Sequence, residues 1–442
     1  MLASHPVILS LVVLGIAFLI ITGAVALGTV ILSGRTRDWE KENELQMKAL
    51  KEIQERRKKK NREGPLKVII LVNDTTFAYN LRREIVQKLI QQGNDVIIVC
   101  QFLNFVPELR ALGCQLIPIP VPRRRTNPFQ DAALFFRFGR ILKTENPDIV
   151  LTNNIKPNVY GGILCRLTKT PYITNVTGLG TPLVHSGWLQ RITLRLYRFG
   201  ISRASCVLFQ NEENETFFRR FHLLQPSQRT RLLPGSGVNL EIRQPLPYPK
   251  EDTVHFLFIA RMMREKGVDI YLDAAREISK HHTHVCFHIC GVCDDPKYLE
   301  ILREAQEAGT ILYHGEQTDL VPFYRMAHCV VHPSYYPEGM SNVLLEAASH
   351  ARPVIATDVA GCRETVEDHV TGFLIPPRDS GALTEAIEAF LELSWERRRE
   401  MGFAGRRKVE REFDRNRVVQ ICLEEIERAV GETYKIDVRI KI

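Results

Sequence analysis

The chain has 442 residues, of which 45% are apolar and 25% are charged, as in an ordinary globular protein long enough for two domains. Its ten cysteines are unevenly spaced and do not resemble a disulfide framework. The formal charge of +8 is lopsided: residues 67–240 carry 22 Lys/Arg against 10 Asp/Glu (+12), and residues 241–430 carry 23 against 32 (−9). The basic half indicates a membrane surface or an anionic ligand. Nucleic acid is the competing interpretation, but no RNA motif, basic zipper or zinc-finger spacing supports it.

Residues 6–32 contain no charged side chain and predict a transmembrane anchor. As a helix this run would be about 40 Å long, enough to cross a hydrocarbon core of about 30 Å with some tilt. Nothing basic precedes it and its apolar residues continue past a cleavage-like site at 24–26, which favours a retained anchor over a signal peptide. Residues 33–66 read as a charged juxtamembrane linker with a helix over 38–62. Its Arg/Lys run would attract anionic lipid or would simply be solvated, and the basic flank predicts that the rest of the chain is cytoplasmic.

Three N-glycosylation sequons bear on this orientation. They lie at Asn73, Asn175 and Asn214. If the body of the chain were lumenal, these asparagines would be candidates for modification, and their use would overturn the predicted orientation.

The next part of the chain, residues 67–240, alternates short apolar runs with helical patterns, among them a helix over about 81–92. The predicted strands are 67–73, 95–100, 115–121, 148–152, 172–176 and 206–210. Strands that alternate with helices predict a doubly wound parallel sheet, and so an α/β domain.

A link rich in proline and charge at 245–252 separates this half from a second one. The predicted strands then resume at 255–260, 284–290, 311–314, 329–332, 353–357 and 372–375. We therefore predict Rossmann-like domains at 67–240 and 241–413, with a helix at 414–430 packing back on the first. Their ligand cleft would lie at the carboxyl ends of both sheets. No G-x-G-x-x-G follows the first strand, which disfavours a dinucleotide enzyme.

The most informative segment is 337–346, where two glutamates, Glu338 and Glu346, bracket a Gly-Met-Ser-Asn turn. A strand-like run precedes the turn and an apolar helix follows it. Bare backbone N–H groups at a helix start attract anions, and a carboxylate can accept hydrogen bonds from sugar hydroxyls. The segment therefore indicates a cradle for a phosphorylated ligand, with a plain surface turn as the alternative.

Other segments leave alternatives open. A cluster of Cys286, His288, Cys290 and Cys293 has the chemistry of a zinc site, although a buried strand ending in a glycine turn explains it as well. The stretches 135–143 and 188–199 mix aromatic residues with arginine. They fit helices that lie in a membrane interface or helices that simply pack on the sheet.

Taken together, residues 67–430 resemble family 4 of the retaining glycosyltransferases, which have the GT-B fold of two Rossmann-like domains facing a cleft. The likeness rests on HPSYYPEGMSNVLLEA at 332–347, PVIAT at 353–357, GCRE at 361–364, GFL at 372–374 with Pro376, FIAR at 258–261, EKG at 265–267 and PGSGV at 234–238. Within the family the chain looks most like bacterial transferases that extend sugars on polyprenyl diphosphate. That closer likeness is carried by Asn73-Asp74, Arg82 and NVTGLG at 175–180.

The resemblance implies a nucleotide diphosphate sugar as donor, with UDP favoured. Arg261 and Lys266 would neutralise the diphosphate, Glu346 would bind the ribose, and Glu338 would position the donor sugar. Glu338, Arg261 and Lys266 are the implied catalytic residues. The implied donor-binding set is Gly235, Arg261, Lys266, Glu338, Gly339, Met340, Ser341, Asn342, Val343 and Glu346.

The acceptor residues implied by the resemblance lie in the first half. They are Asn73, Arg82, Lys156, Thr177 and Gly178. Arg82 and Lys156 suit a lipid diphosphate, although both would also fit as ordinary surface cations. Where many relatives have histidine, this chain has Asn153, Asn154 and Thr177, so no histidine base is available there. The retaining reaction is expected to occur on one face of the sugar, with the departing phosphate taking the acceptor proton.

The implied function is a membrane-anchored transferase. It moves a hexose or N-acetylhexosamine from the donor to a lipid-linked saccharide, with retention of configuration. We expect a single-pass protein of the inner cell membrane, with no obligatory metal or other cofactor and no nucleic acid partner. Anionic lipid and other enzymes of the pathway are the further expected partners. A nucleotide-sugar 2-epimerase and a non-catalytic nucleotide-sugar binder are the alternatives.

Overall fold

The structure, a computed structural model, describes residues 64–121, 128–180, 183 and 187–439. The predicted anchor at 6–32 and nearly all of the linker at 33–66 lie outside these residues. Within the described part of the chain, no helix combines the length and the apolar character needed to cross a membrane.

The first domain is built on seven parallel strands in the order β3-β2-β1-β4-β5-β6-β7. The strands are β1 (Lys67–Asp74), β2 (Asp95–Gln101), β3 (Gln115–Pro118), β4 (Ile149–Asn153), β5 (Tyr172–Val176), β6 (Cys206–Phe209) and β7 (Thr230–Leu232). The helices are α1 (Thr75–Gln91), α2 (Val106–Ala111), α3 (Pro128–Glu145), α4 (Gly162–Thr168), α5 (Trp188–Ile201) and α6 (Glu212–Arg220). Helices cover both faces of the sheet, so the central strands are continuous buried runs.

The second domain has six parallel strands in the order β10-β9-β8-β11-β12-β13. The strands are β8 (Val254–Ile259), β9 (Val285–Cys290), β10 (Leu312–Tyr313), β11 (Cys329–His332), β12 (Val354–Thr357) and β13 (Gly372–Ile375). The helices are α7 (Val268–Ile278), α8 (Pro296–Glu307), α9 (Val321–Met326), α10 (Asn342–Ser349), α11 (Ser380–Glu392) and α12 (Trp395–Glu412). The prediction of two doubly wound parallel sheets is confirmed.

Three details differ from the predicted elements of the first domain. Strand β3 ends at Pro118 rather than at 121. Strand β7 is missing from the prediction because its three residues are too few to show a pattern. Helix α1 begins at Thr75 rather than near 81, because the Asp74 carboxylate accepts a hydrogen bond from the Phe77 N–H at 2.8 Å and caps the helix.

The last helix, α13 (Arg415–Arg439), returns the chain to the first domain. Its apolar side, including Val418, Cys422 and Ile426, is buried in the same cluster as strand β1. At its start the Arg415 guanidinium donates to the Glu84 carboxylate at 3.1 Å and to the Gly237 carbonyl at 2.8 Å. The chain thus crosses between the domains beside the cleft.

The two sheets present their carboxyl ends to each other, and loops from both meet there. Gly178, after β5, forms an isolated antiparallel bridge with Glu338, after β11. The Gly339 N–H donates to the Thr177 carbonyl at 3.1 Å, and the Leu179 N–H donates to the Pro337 carbonyl at 3.2 Å. These backbone contacts bring the predicted donor and acceptor segments side by side.

Candidate active site

The centre of the site is the turn between β11 and the start of α10. Ser341 caps the helix, since its hydroxyl accepts from the Leu344 N–H at 3.4 Å. The Ser341 N–H itself donates to the Gly361 carbonyl at 2.8 Å. Contrary to the prediction, this group is therefore not free to donate to a phosphate oxygen of the ligand. Within the described residues the N–H groups of Asn342 and Val343 have no such partner. The anion-attracting donors at this helix start are therefore those two groups.

Beneath the turn lies a buried histidine that the sequence reasoning did not single out. His332 Nε2 lies 3.1 Å from the Ser341 hydroxyl. Burial, with a smaller contribution from the Lys266 ammonium, lowers the pKa of His332 to about 3, so the ring is neutral near pH 7. A neutral ring orients the capping serine without adding a charge under the turn. Its position at the polar end of a buried strand is the signal that could have identified it.

Lys266 and Glu338 form an ion pair at the mouth of this turn, and both side chains are largely buried. The Lys266 ammonium also lies 5.1 Å from the centre of the Tyr336 ring. Burial, with a smaller contribution from the Arg261 guanidinium, lowers the pKa of Lys266 to about 8. The site thus holds a cation whose charge is sensitive to mildly alkaline pH, beside a carboxylate that favours the charged form.

Arg261 reaches the same region from the loop after β8. Its side chain is exposed, and no hydrogen bond or ion pair holds it within the described part of the chain. An arginine fork of this kind can bind two oxygens of one phosphate group. Arg261 and Lys266 therefore place two cations on the cleft side of the second sheet.

Glu346, one turn into α10, is fixed by two neighbours. Its carboxylate accepts from Arg243 Nη2 at 3.2 Å and from the Tyr324 hydroxyl at 3.4 Å. Each carboxylate oxygen has more than one acceptor position, so the group can still receive hydrogen bonds from a ligand. The pair of neighbours orients the carboxylate and leaves it partly exposed.

Met340 and Gly235, both predicted to bind the donor, pack against each other behind the turn. The Met340 side chain is buried in a cluster with Val238, Leu345 and Phe413, so it points into the protein. A Cβ on Gly235 would lie 2.7 Å from Met340, so the glycine is needed for this close packing. Both residues support the turn from behind.

Two asparagines of the first domain clamp the turn, and the sequence reasoning missed both. Asn211 Nδ2 donates to the carbonyls of Glu338 (3.2 Å) and Gly339, and Asn214 Nδ2 donates to the Glu338 carbonyl at 3.2 Å. Asn211 also caps α6, because its side-chain oxygen accepts from the Asn214 N–H at 2.8 Å. A polar helix cap at the carboxyl end of β6 is the sequence signal that could have indicated them.

Gly339 allows this close approach, and we expect Gly339→Ala to lower kcat/KM by roughly tenfold or more. An added Cβ would lie 2.9 Å from the Thr177 carbonyl and closer still to the Gln210 side-chain oxygen, so the two domains would have to separate. Steady-state kinetics measures the effect. Gly405→Ala is the matched control, since the nearest heavy atom to its added Cβ is 3.5 Å away. Equal activity of the two variants would contradict the expectation.

On the acceptor side, the ends of three neighbouring strands are joined by one asparagine. Asn154 Oδ1 accepts from the Asn73 N–H at 3.3 Å, and Asn154 Nδ2 donates to the Thr177 hydroxyl at 3.3 Å. Asn73 and Thr177, both predicted as acceptor residues, are thereby brought together at one edge of the sheet. Gly178 follows directly and contacts Glu338.

The structure contradicts the acceptor role predicted for Arg82. Its side chain is buried, and the guanidinium donates to Asn153 Oδ1 at 2.8 Å and to the Leu81 carbonyl at 2.6 Å. It lines a small cavity behind the sheet together with Cys422 of α13. Lys156 pairs with the buried Asp131 carboxylate at 2.8 Å, which offsets its charge. Neither cation is presented to the cleft as a free charge.

The metal alternative finds no support among the described residues. No group of three or more His, Cys, Asp or Glu side chains there is arranged to hold a metal ion. His288, the centre of the predicted zinc cluster, contacts the rings of His255 and His314 at 2.9 Å and 3.0 Å instead. Two of the three sequon asparagines, Asn175 and Asn214, are buried, so the folded protein does not present them for glycosylation.

Comparison with known proteins assigns a family to this geometry. The family "Glycosyl transferase 4-like domain" matches residues 81–235, and the family "Glycosyl transferases group 1" matches residues 253–393. Each match falls on one of the two sheet domains.

Relatives agree with the two family matches. The chain is 26% identical over 331 residues to N,N'-diacetylbacillosaminyl-diphospho-undecaprenol alpha-1,3-N-acetylgalactosaminyltransferase of Campylobacter jejuni, covering 71% of this chain and 86% of that protein. It is 26% identical over 321 residues to the capsular polysaccharide biosynthesis glycosyltransferase CapM of Staphylococcus aureus, covering 67% of this chain and 82% of that protein.

Solved structures share the fold. Sucrose-phosphate synthase from Thermosynechococcus elongatus superposes with a TM-score of 0.68 at 22% identity, covering 83% of this chain and 100% of that one. Anabaena Alr3699/HepE in complex with UDP superposes with a TM-score of 0.67 at 18% identity, covering 82% of this chain and 100% of that one. With a family match on each domain and full-length fold neighbours, the chain belongs to the GT4-type glycosyltransferases of the GT-B fold.

Proposed function

We propose that this enzyme transfers a hexose or N-acetylhexosamine from a nucleotide diphosphate sugar to a saccharide carried on polyprenyl diphosphate, with retention of configuration. The observation that carries the proposal is the contact between Thr177–Gly178 and Glu338–Gly339. It places the predicted acceptor edge of one sheet against the cationic donor turn of the other. A reaction between two bound molecules requires their sites to meet in this way.

The proposed donor site is supported by the positive charges and free N–H groups that would face the diphosphate. The diphosphate would lie against Arg261, Lys266 and the N–H groups of Asn342 and Val343. Glu346 would accept from the ribose hydroxyls, and Glu338 with Gly339 would contact the sugar. UDP is the proposed nucleotide, supported by the family resemblance and by the UDP complex of the Anabaena fold neighbour. No metal is needed in this scheme, because two cations and a helix start offset the diphosphate charge.

In the proposed step the bond between the anomeric carbon and the diphosphate oxygen breaks, and a bond to the acceptor hydroxyl forms on the same face. In this scheme the acceptor proton goes to the departing phosphate oxygen, as the family resemblance implies. The residues of the chain then contribute by stabilising the leaving-group charge and by holding the acceptor hydroxyl. Asn73, Thr177 and Gly178 are the proposed acceptor contacts.

The acceptor class is supported by the Campylobacter jejuni relative, whose name describes transfer to an undecaprenol-linked sugar. We propose that the uncharged run at 6–32 anchors this enzyme in the inner cell membrane, with both sheet domains in the cytoplasm. This location would give the enzyme direct access to a lipid-linked acceptor.

Donor binding should depend on pH through Lys266. Its pKa lies near 8, and the protonated form binds the diphosphate, so we expect the affinity for UDP to fall as the pH rises through about 8. Titration calorimetry between about pH 6 and about pH 10 measures the effect. Lys266→Arg should flatten the profile, because arginine stays charged over this range. An affinity for UDP that rises with pH over this range, or that falls equally in Lys266→Arg, would contradict the role assigned to protonated Lys266.

The test of the proposed function uses the full chain in detergent with a panel of UDP-sugars and a bacterial lipid extract containing polyprenyl-linked saccharides. We expect UDP release that requires the lipid extract and is strongly reduced in Glu338→Gln. The anomeric configuration of the lipid product, read by NMR, tests retention. Conversion of the UDP-sugar without lipid would indicate an epimerase, and UDP binding without turnover on any acceptor would indicate a binder. Either result would overturn the proposal.

A further inference from the structure

A small cavity of about 20 Å³ lies where the first sheet meets α1 and α13. Its lining includes Arg82 of α1, Asn153 and Asn175 near the ends of β4 and β5, and Cys422 of α13. All four are more than nine-tenths buried. The rest of the wall is Thr152 and aliphatic side chains. Because about 10–15 Å³ is enough for one water molecule, the cavity has room for a single small molecule or ion.

The Arg82 guanidinium brings a buried positive charge to this cavity. Its Nε donates to Asn153 Oδ1 at 2.8 Å and its Nη1 donates to the Leu81 carbonyl at 2.6 Å. Its third nitrogen, Nη2, is buried and has no hydrogen-bond partner among the described residues. Burial lowers the pKa of Arg82 to about 10, so the group is still charged near pH 7. An unsatisfied N–H on a buried charge is costly, so Nη2 requires a partner.

The nearby carboxylate is already shared by other cations. Glu84 is the acidic side chain that acts on Arg82. Its carboxylate accepts from Arg415 Nη1 at 3.1 Å, from Arg83 Nε at 3.0 Å and from Asn239 Nδ2 at 2.9 Å. Three guanidinium groups therefore surround one carboxylate, and this part of the domain keeps an excess of positive charge. Arg82 is left without a full counter-charge from Glu84.

The wall of the cavity offers hydrogen-bond donors and no negative charge. Its described lining contains no Asp or Glu. Burial raises the pKa of the Cys422 thiol to about 11, so this group is neutral near pH 7 and can act only as a weak donor. Asn175 Oδ1 is buried without a hydrogen-bond partner in the described part of the chain. Turning that amide over presents its two N–H donors to the cavity instead.

We propose that this cavity binds one monatomic anion, with chloride as the physiological ion, held by Arg82 Nη2 and the Asn175 amide. A cation and neutral donors in a low-dielectric site favour an anion over a neutral water molecule. The cavity is too small for phosphate or another polyatomic anion. Since Cys422 of α13 also lines the cavity, the bound ion would hold the last helix against the first sheet.

The test measures the thermal midpoint of the full chain in detergent, in sodium chloride and in sodium gluconate at equal ionic strength. Gluconate is too large to enter the cavity. At a tenfold excess of chloride over its dissociation constant, we expect the midpoint to be roughly 3–6 °C higher in chloride. The rise should saturate with chloride concentration, because a single site is filled.

A carboxylate built into the cavity should replace the ion. Asn175→Asp keeps the shape of the side chain and supplies the counter-charge for Arg82. We expect the chloride-dependent rise to be lost, with a midpoint in gluconate at least as high as that of the parent chain. Asn94→Asp is the charge-matched control, because its side-chain oxygen accepts from the Leu66 N–H, and it should keep the full rise. General effects of the two salts act equally on both variants.

A second pair of variants tests the cation. Arg82→Met removes the charge at the cavity and should abolish the rise. Arg83→Met removes the neighbouring guanidinium of the same helix, which pairs with Glu84, and should retain it. Crystals of the full chain soaked in sodium bromide locate the ion, since bromide scatters anomalously. We expect an anomalous difference peak between Arg82 and Asn175 in the parent chain and no peak there in Asn175→Asp.

Three results would overturn the proposal. They are equal midpoints of the parent chain in the two salts, a chloride-dependent rise that survives in Asn175→Asp, and the absence of an anomalous peak in the cavity. Equal midpoints together with electron density that bromide does not change would assign the cavity to a buried water molecule. None of these measurements involves glycosyl transfer, so the outcome is independent of the proposed function.

Discussion

Replacing Lys266 with methionine is expected to lower kcat by about 10²–10³-fold, the range seen when one preorganised charge-stabilising group is lost. The substitution removes one of the two cations assigned to the diphosphate and leaves the largely buried Glu338 carboxylate without its ion-pair partner. Repulsion between that carboxylate and the developing negative charge of the leaving group would add to the loss. Donor affinity should fall as well, because the same charge contacts the diphosphate before and during the reaction.

Two variants separate this effect from a general loss of charge or stability. Lys280→Met removes a lysine from an exposed position just after the following helix, where it pairs with Glu277, and should leave activity unchanged. Lys266→Arg keeps the charge and should retain much of the turnover. UDP release with the lipid extract and the thermal midpoint are measured for each. If Lys266→Met turned over like Lys280→Met, the charge assignment at Lys266 would be wrong.

The second large effect is expected from Asn211→Asp, which exchanges a donor for an acceptor of the same shape. Aspartate can still accept from the Asn214 N–H and cap α6, so the first domain should fold normally. It cannot donate to the carbonyls of Glu338 and Gly339, and its charge would face their oxygens. Leaving such carbonyls unsatisfied costs about 1–3 kcal/mol, so we expect kcat/KM to fall by about 10–100-fold.

If Asn211 only positions the turn, its substitution should lower turnover without lowering the affinity for UDP to the same extent. Because Asn211 contacts no substrate in this assignment, Asn211→Asp should bind UDP almost as tightly as the parent chain while its turnover with the lipid acceptor falls. Asn94→Asp is the charge-matched control: its side-chain oxygen accepts from the Leu66 N–H, as an aspartate also can. Loss of UDP affinity in proportion to turnover would indicate a direct role in donor binding. Parent-like turnover would contradict the clamp.

Much of the fold is predictable because each strand carries its own pattern. Strands β5, β11 and β13 match their predicted bounds, since each is a short buried run between polar or turn residues. The donor turn is predictable for the same reason, because a strand end, a glycine and a helix cap lie within one short stretch of chain. Strand β7 was beyond such reasoning, since three residues carry no periodicity.

The errors at the site share a different physical cause. Arg82 lies in a helix at the cleft, yet α13, more than three hundred residues further along, covers the helix and the sheet behind it and buries the guanidinium. Met340 lies in the donor turn, yet its side chain packs against the loop at 234–238 and is buried away from the cleft. Each error concerns the direction of one side chain, which depends on neighbours from remote segments.

The sequence alone determined the two parallel sheets and the turn between Glu338 and Glu346, and it predicted the pair Arg261 and Lys266 beside that turn. These follow from burial patterns and helix ends, which are local properties of the chain. Only the tertiary structure decided that Asn211 and Asn214 hold this turn against Thr177, and that α13 buries the Arg82 guanidinium. Both depend on contacts between segments distant in sequence, because packing, rather than periodicity, decides which surfaces meet.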